Sequence, residues 1–383
     1  MNSPVNSEYI YERLATALEA LPSGFLKTKS GVEMRLIKKA FTPEEVWLAG
    51  QLSRTLETAA EIAKRVGLDE AKVTETLESL VPRRLVRLDT LELQVPGVQP
   101  KSDGVRKYRL GPFLVGWYEA MMRGPMVNDK EFAELFEQFI IEGGGERIFA
   151  PRPGVLGVIP HRGSLKPELI QPYEDIDAHF QRHERFLVID CVCRTEQNLL
   201  GSKCEKPILR CGFVGMPPQA PLSKNILDRE QASKLLGELA QMGHIQLGFY
   251  GFTAGSETPQ FVGTCNCCGC CCGVLRGVTH LGLAEAPQRS NYRAVKDPEK
   301  CLSCGVCVER CQVHAIRETD DKPLVDREKC IGCGACVIAC PNDALEMVPV
   351  SAEEWFHYPT SFNDWEERRL QNFGTPDGHR MGG

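Results

Sequence analysis

Two sets of four cysteines, written in one spacing, hold the clearest chemistry in this chain. Cys301, Cys304, Cys307 and Cys311 are followed by Cys330, Cys333, Cys336 and Cys340, each 29 residues after its counterpart. Ala315-Ile316 and Ala344-Leu345 repeat at the same offset, so a small apolar plug accompanies each set. Three thiols two residues apart, in a loop of Gly and small residues, suit one face of an iron–sulfur cube, and a fourth thiolate must arrive from elsewhere. Disulfides would need an oxidising compartment, and the polar stretch from Met1 to Ala20 lacks the apolar centre of a secretory signal. Structural zinc usually takes CxxC pairs with a longer spacer between them. Iron and sulfide are the expectation. One departure is visible: Cys311 precedes Gln312, whereas Cys340 precedes Pro341. That bears on the turn after the ligand and not on ligation.

A second thiol-rich region comes earlier. Cys191, Cys193, Cys204 and Cys211 are interleaved with Arg194, Lys203, Lys206 and Arg210, and Cys265, Cys267, Cys268, Cys270, Cys271 and Cys272 fall within eight residues. A packed core has no use for six such neighbours, because adjacent side chains diverge, so metal binding is expected here too. Cys265, Cys268 and Cys271 repeat the three-thiol spacing, while Cys267, Cys270 and Cys272 lie in other directions. Ten thiols suffice for two further 4Fe–4S clusters with two to spare. One cluster plus zinc, or a non-cubane cluster with an open iron, are rival readings. The basic residues between the upstream cysteines would offset cluster charge and keep thiolates ionised.

The elements that must position these groups follow from the rest of the chain. All 18 cysteines lie between Cys191 and Cys340, so a thiol-free front half precedes a metal-loaded rear half. A length of 383 residues suggests two or three domains, and no apolar run approaches the roughly 20 residues of a membrane helix. A net charge of −6 gives no general reason to seek nucleic acid. Residues 1–41 read as a helical arm, with a helix near Glu8–Leu21 broken at Pro22-Ser23-Gly24. Residues 42–124 read as a winged helix-turn-helix domain: a helix from Thr42 with Glu45 three residues on, a helix over 58–66, a turn, a helix over 70–81, then strand pieces at 85–88 and 107–110. The helix that would enter a DNA groove carries Glu70, Glu75 and Glu78 against Lys72 alone, a poor face for phosphate. Arg83, Arg84, Arg87, Lys101, Arg106, Lys107 and Arg109 make the following segment basic, fit for phosphate or for an acidic protein. Packing or partner docking is the preferred reading.

Residues 125–290 form the expected cysteine-rich α/β middle domain. A helix over 132–141 ends at Gly143-Gly144-Gly145, Pro151, Pro153 and Pro160 mark an extended connector, a buried strand spans 186–190, and a helix covers about 228–242. His161 reads as an ordinary histidine. His179 and His183, four apart, would share a helical face. The preferred reading is two polar residues on an exposed turn, with metal binding the alternative. Residues 291–347 form the thiol-repeat domain, and 348–383 an aromatic tail with Trp355, Phe356, Tyr358, Phe362, Trp365 and Phe373, which either packs back on the chain or docks a partner subunit.

The region from Cys301 to Leu345 closely resembles a bacterial two-cluster ferredoxin. In that family the fourth ligand comes from the opposite repeat, which implies Cys301, Cys304, Cys307 and Cys340 for one 4Fe–4S cluster and Cys330, Cys333, Cys336 and Cys311 for the other. Over nearly the whole chain, Leu21-Pro-Ser-Gly-Phe25, Ser30-Gly-Val-Glu33, Phe41-Thr-Pro-Glu-Glu45, Pro172-Tyr-Glu-Asp175, Cys191-Val-Cys-Arg194 and Cys265-Asn-Cys-Cys-Gly-Cys-Cys-Cys272 resemble a family of 4Fe–4S ferredoxin-type proteins of anaerobes with a winged-helix front. That resemblance implies multi-cluster electron transfer and names no substrate. The expectation is thus an α+β, multidomain, cytoplasmic protein with two C-terminal clusters and one or two more in the middle domain. It would relay electrons with a redox partner or as an oxidoreductase subunit, not act as a stand-alone enzyme, and nucleic acid is not an expected partner. No flavin or nucleotide signature is present. A redox- or metal-responsive DNA-binding regulator is the runner-up, and an enzyme with an open-coordination cluster the third reading.

Overall fold

The computed structural model describes residues 7–88, 105–171, 174–202, 204–207, 211–216, 218–251, 260–319, 323–360 and 362–372. The chain mixes helix and sheet and divides into two compact units, residues 1–148 with 195–202, and residues 149–194 with 203–383. Among the described residues no helix is long and apolar enough to cross a membrane.

In the first unit, local sequence sets the helix starts. Thr42 with Glu45, and Thr58 with Glu61, form reciprocal capping boxes ahead of helices Pro43–Ala49 and Ala59–Val66, and Asp69 caps helix Glu70–Leu80. Each such cap stabilises by about 1 kcal/mol. Strands Val86–Leu88 and Lys107–Leu110 pair antiparallel, and a two-residue strand, Glu57–Thr58, joins on the other side of Lys107–Leu110. The connection from 89 to 104, with Lys101, lies outside the described residues. Helices Ser7–Glu19 and Val32–Ala40 bury Leu14, Leu18, Leu36 and Ile37. Beside them the Phe113 ring sits 4.9 Å from Phe25, 4.6 Å from Trp117 and 5.3 Å from Phe139. These edge-on and tilted pairs give this cysteine-free region a core built from large rings.

The second unit holds a six-stranded sheet in the order Leu156–Ile159, Ile245–Gly251, Gln260–Cys267, Gly212–Met216, Arg185–Ile189, Ile226–Asp228, with every neighbouring pair antiparallel. Residues 151–160 are therefore not merely an extended connector. Leu156–Ile159 is an edge strand buried along its length, placed between prolines that an edge tolerates. Helix Arg229–Gln241, started by an Asp228–Gln231 capping box, buries Leu235, Leu236 and Leu239.

The aromatic tail folds back within this unit. Trp365 Nε1 donates to Gly154 O at 3.1 Å, Arg369 reaches the carbonyls of Pro151 and Pro153, and Phe356 N donates to Asn291 Oδ1 at 2.8 Å. Buried Glu174, from the Pro172–Asp175 phrase, accepts from Tyr358 Oη at 2.7 Å and Asn291 N at 2.8 Å. Phe373 lies outside the described residues.

Candidate metal centres

The 29-residue offset is also an offset in backbone geometry. Ser303 and Gly332, Gly305 and Gly334, and His314 and Asp343 are three pairs at that spacing, and all six residues have positive φ, between 46° and 74°. Such left-handed turns aim successive N–H groups toward one point. Two of them land on sulfur: Ala315 N donates to Cys311 Sγ at 3.1 Å, and Ala344 N to Cys340 Sγ at 3.3 Å. Strand pairing repeats as well. Lys296 faces Leu345 in one two-stranded ladder, and their counterparts Val325 and Ile316 face each other in the second. Ala315, Ile316, Ala344 and Leu345, the expected plugs, are buried.

The residues present fit iron–sulfur clusters. One pocket is lined by Cys301, Cys304, Cys307 and Cys340 together, with Leu302, Pro341 and Leu345 around them. In the other set, burial pushes the thiols of Cys333, Cys336 and Cys311 upward, opposed at Cys333 and Cys311 by backbone N–H groups. Thiols this dry ionise only for a cation that compensates them. Among the described residues, no three of these eight sulfurs converge within 4.8 Å of one another. Sulfurs bound to four different irons of a cube stand roughly 6 Å apart.

The middle thiols are arranged differently and sort into two groups. Cys204, Cys268, Cys270 and Cys271 bring their sulfurs within 4.8 Å of one another, and so do Cys211, Cys265 and Cys267. Cys191, Cys193 and Cys272 join the second group through thiol–thiol hydrogen bonds, Cys191 to Cys193 and Cys211, and Cys272 to Cys193 and Cys267. The trio Cys265, Cys268 and Cys271 is thus split. The spacing argument assumed a loop, but Cys265 and Cys267 end the strand Gln260–Cys267, where residues two apart share a face. Cys268 onward lies in the turn before helix Gly273–Thr279.

Of the basic residues expected to lie near these thiols, Arg194 reaches sulfur. Fully buried, it donates from Nε to Cys268 Sγ at 3.4 Å, from Nη1 to Pro207 O at 2.9 Å and from Nη2 to Asn266 O at 3.0 Å. A hydrogen bond from Cys271 and the Arg194 charge, against burial, bring Cys268 down to about 5. Hydrogen bonds from Cys211 and Cys267 bring Cys265 to about 6. Lys206 instead binds the Met242 carbonyl, and Lys203 and Arg210 lie outside the described residues. Asn266, in the middle of the Cys-Asn-Cys phrase, ties its strand to Cys211 through Nδ2 and its own N–H, both at 2.8 Å from Cys211 O.

Sequence reasoning missed one contact. Gln312, the residue standing where the second repeat has proline, accepts from Gly269 N at 2.9 Å through its Oε1. A Cβ on Gly269 would lie 2.2 Å from Gln312 O, so the two backbones touch. The residue after ligand candidate Cys311 is therefore joined to the turn between Cys268 and Cys270. The departure from the repeat was the available signal.

The histidines are not metal ligands in any group found among the described residues. His161 is buried, and burial holds its ring down near 4. His179 is buried too, held near 3 by burial and by His183, so the expected exposed turn is wrong for it. Helix Ile176–Gln181 ends before His183, and the two rings lie 5.9 Å apart, packed among Phe180 and Phe186.

Residues 294–317 and 323–346 each match the family of 4Fe-4S binding domains. No curated protein matches the chain. Those two stretches carry the repeat geometry described above, and the match supports a general role in iron–sulfur electron transfer.

Proposed function

We propose that the chain is a multi-cluster iron–sulfur electron carrier, a cytoplasmic subunit or partner that passes electrons to or from a larger oxidoreductase in anaerobic metabolism. Cys301, Cys304, Cys307 and Cys340 would hold one 4Fe–4S cluster, and Cys330, Cys333, Cys336 and Cys311 the other. Such a cluster, when bound, supplies one-electron exchange without bond making or breaking. The protein residues give it a fixed charge environment. Ala315 and Ala344 aim N–H groups at sulfur, and Ile316 and Leu345 keep water from the thiolates.

The observation that carries this reading is the unequal setting of two equivalent loops. Cys304 and Leu302 are exposed, as an exchange surface for a partner requires, while the loop of the second repeat is enclosed by its own unit. The Gln312–Gly269 contact lies next to Cys311, the first-repeat thiol assigned to the second cluster, and joins it to the turn between Cys268 and Cys270, which supports an internal route from that cluster toward the middle thiols. The six-thiol group has donors enough for one further cluster.

The first unit, in this reading, is a winged helix used for docking. Several of its basic side chains already have partners: Arg106 meets Glu78 Oε1 at 2.6 Å, and Arg83 pairs with Glu45. Arginines so engaged are poorly placed to neutralise phosphate. Oxygen-free purification with bound partners, followed by iron and sulfide counting and electron paramagnetic resonance, tests the proposal. The expected result is at least about eight irons and eight sulfides per chain with reducible signals. A colourless protein holding zinc overturns it.

A further inference from the structure

The four sulfurs of Cys204, Cys268, Cys270 and Cys271 are spaced for one ion, not for a cube. Cys204 lies 3.8 Å from Cys268 and 3.5 Å from Cys270, Cys268 lies 3.4 Å from Cys270, and Cys270 lies 3.5 Å from Cys271. Four thiolates about 2.3 Å from a single tetrahedral ion stand about 3.8 Å from one another. The same chain supplies the contrast: the eight repeat sulfurs, which match cluster-binding domains, keep apart.

We propose that Cys204, Cys268, Cys270 and Cys271 bind one thiophilic divalent ion, zinc or ferrous iron, in a closed tetrahedral site. The backbone is folded for it. Cys271 N and Cys272 N both donate to Cys268 O, at 3.3 and 3.1 Å, so the turn folds its three thiols onto one side. Cys204 arrives from a segment 64 residues earlier to complete the set. Four thiolates around a divalent ion carry a net charge of about −2, which in a partly buried setting needs a counter-charge. Arg194 provides it at Cys268. With four protein ligands no coordination position stays open, so the ion acts as a clasp and not as a reaction centre. It closes the loop carrying Cys204 onto the Cys268–Cys271 turn, the turn that also grips Gln312.

This rests on the middle region being metal-loaded, and its failure is separable from failure of the electron-carrier reading, because sulfide reports clusters alone. In full-length protein purified without oxygen, Cys204→Ser and Cys270→Ser are each expected to lose one zinc or iron per chain while acid-labile sulfide stays at the parent value. Loss of iron and sulfide together, or no metal loss, overturns the proposal. A measurement on the unsubstituted protein guards against misfolded variants. After reconstitution with cobalt(II), X-ray absorption at the cobalt edge is expected to show four sulfur neighbours and no metal neighbour. A metal neighbour, or failure to take up cobalt, overturns the proposal equally.

Discussion

The two cysteine repeats share spacing, turn geometry and a hydrogen bond onto the last sulfur, yet they meet opposite surroundings. Leu302 in the first loop is 67% exposed, and its counterpart Ile331 is 1% exposed. Among the described residues, a Cβ on Gly305 would meet the carboxylate end of Glu318 at 3.2 Å. On Gly334 it would strike Ser164 Oγ at 2.3 Å, and on Gly332 it would strike Tyr292 O at 2.2 Å. His161 N also donates to Cys333 O at 2.9 Å, binding the second loop to its own unit. Near-identical motifs differ by what packs on them: the first loop is open at Leu302, while the second is enclosed and held by His161.

Four measurements sharpen or break that comparison. Cys336→Ser and Cys307→Ser each remove a ligand from equivalent positions and should each release about four irons. Cys336→Ser should also lower stability by about 1–3 kcal/mol more, since its hydroxyl is buried where its counterpart is half-exposed. Anaerobic thermal melts with iron counts check this, and equal melts would remove the inside–outside distinction. Gly332→Ala forces a side chain into positive φ against Tyr292 O, at a cost of about 2–4 kcal/mol. Ser303→Ala, where a side chain already occupies the same turn, adds no atom there and should cost less than Gly332→Ala. Denaturant titration of both variants decides.

Gln312→Pro restores the repeat's own motif, and Cys311 already has the extended backbone that a following proline favours. It should nonetheless cost about 1–2 kcal/mol, because Gly269 N loses its acceptor. Faster amide exchange at Gly269 with cluster content unchanged is the expected signature. The reciprocal Pro341→Gln should be close to neutral. Smallest in stability is Leu302→Glu, within about 0.5 kcal/mol, with resonance signals intact and electron exchange with a partner slowed. Unchanged exchange would count against the open loop as the entry point.

Much of this was legible beforehand where local chemistry decides. Thr42, Thr58 and Asp69 announce their helices because a cap is a bond between near neighbours in sequence. The ferredoxin-like loops were readable because small loops with fixed ligand spacing leave few alternatives, and the repeat doubled the signal. Leu156–Ile159 escaped because prolines flank it and its pairing partner lies some 90 residues on. The split of Cys265 from Cys268 escaped for a related reason: a change from strand to turn between them redirects the side chains, and spacing alone does not contain that change.

By itself, the order of residues determined that eight thiols fall in two equivalent loops of 4Fe-4S binding type and that ten more lie in two earlier stretches, since ligand type and spacing are local properties. Only the tertiary structure decided which loop faces outward, which four of the ten thiols converge as closely as one ion requires, and that Gln312 belongs to the turn between Cys268 and Cys270. Each of those depends on contacts between segments tens of residues apart, where packing against a neighbouring surface, not the motif, sets direction and distance.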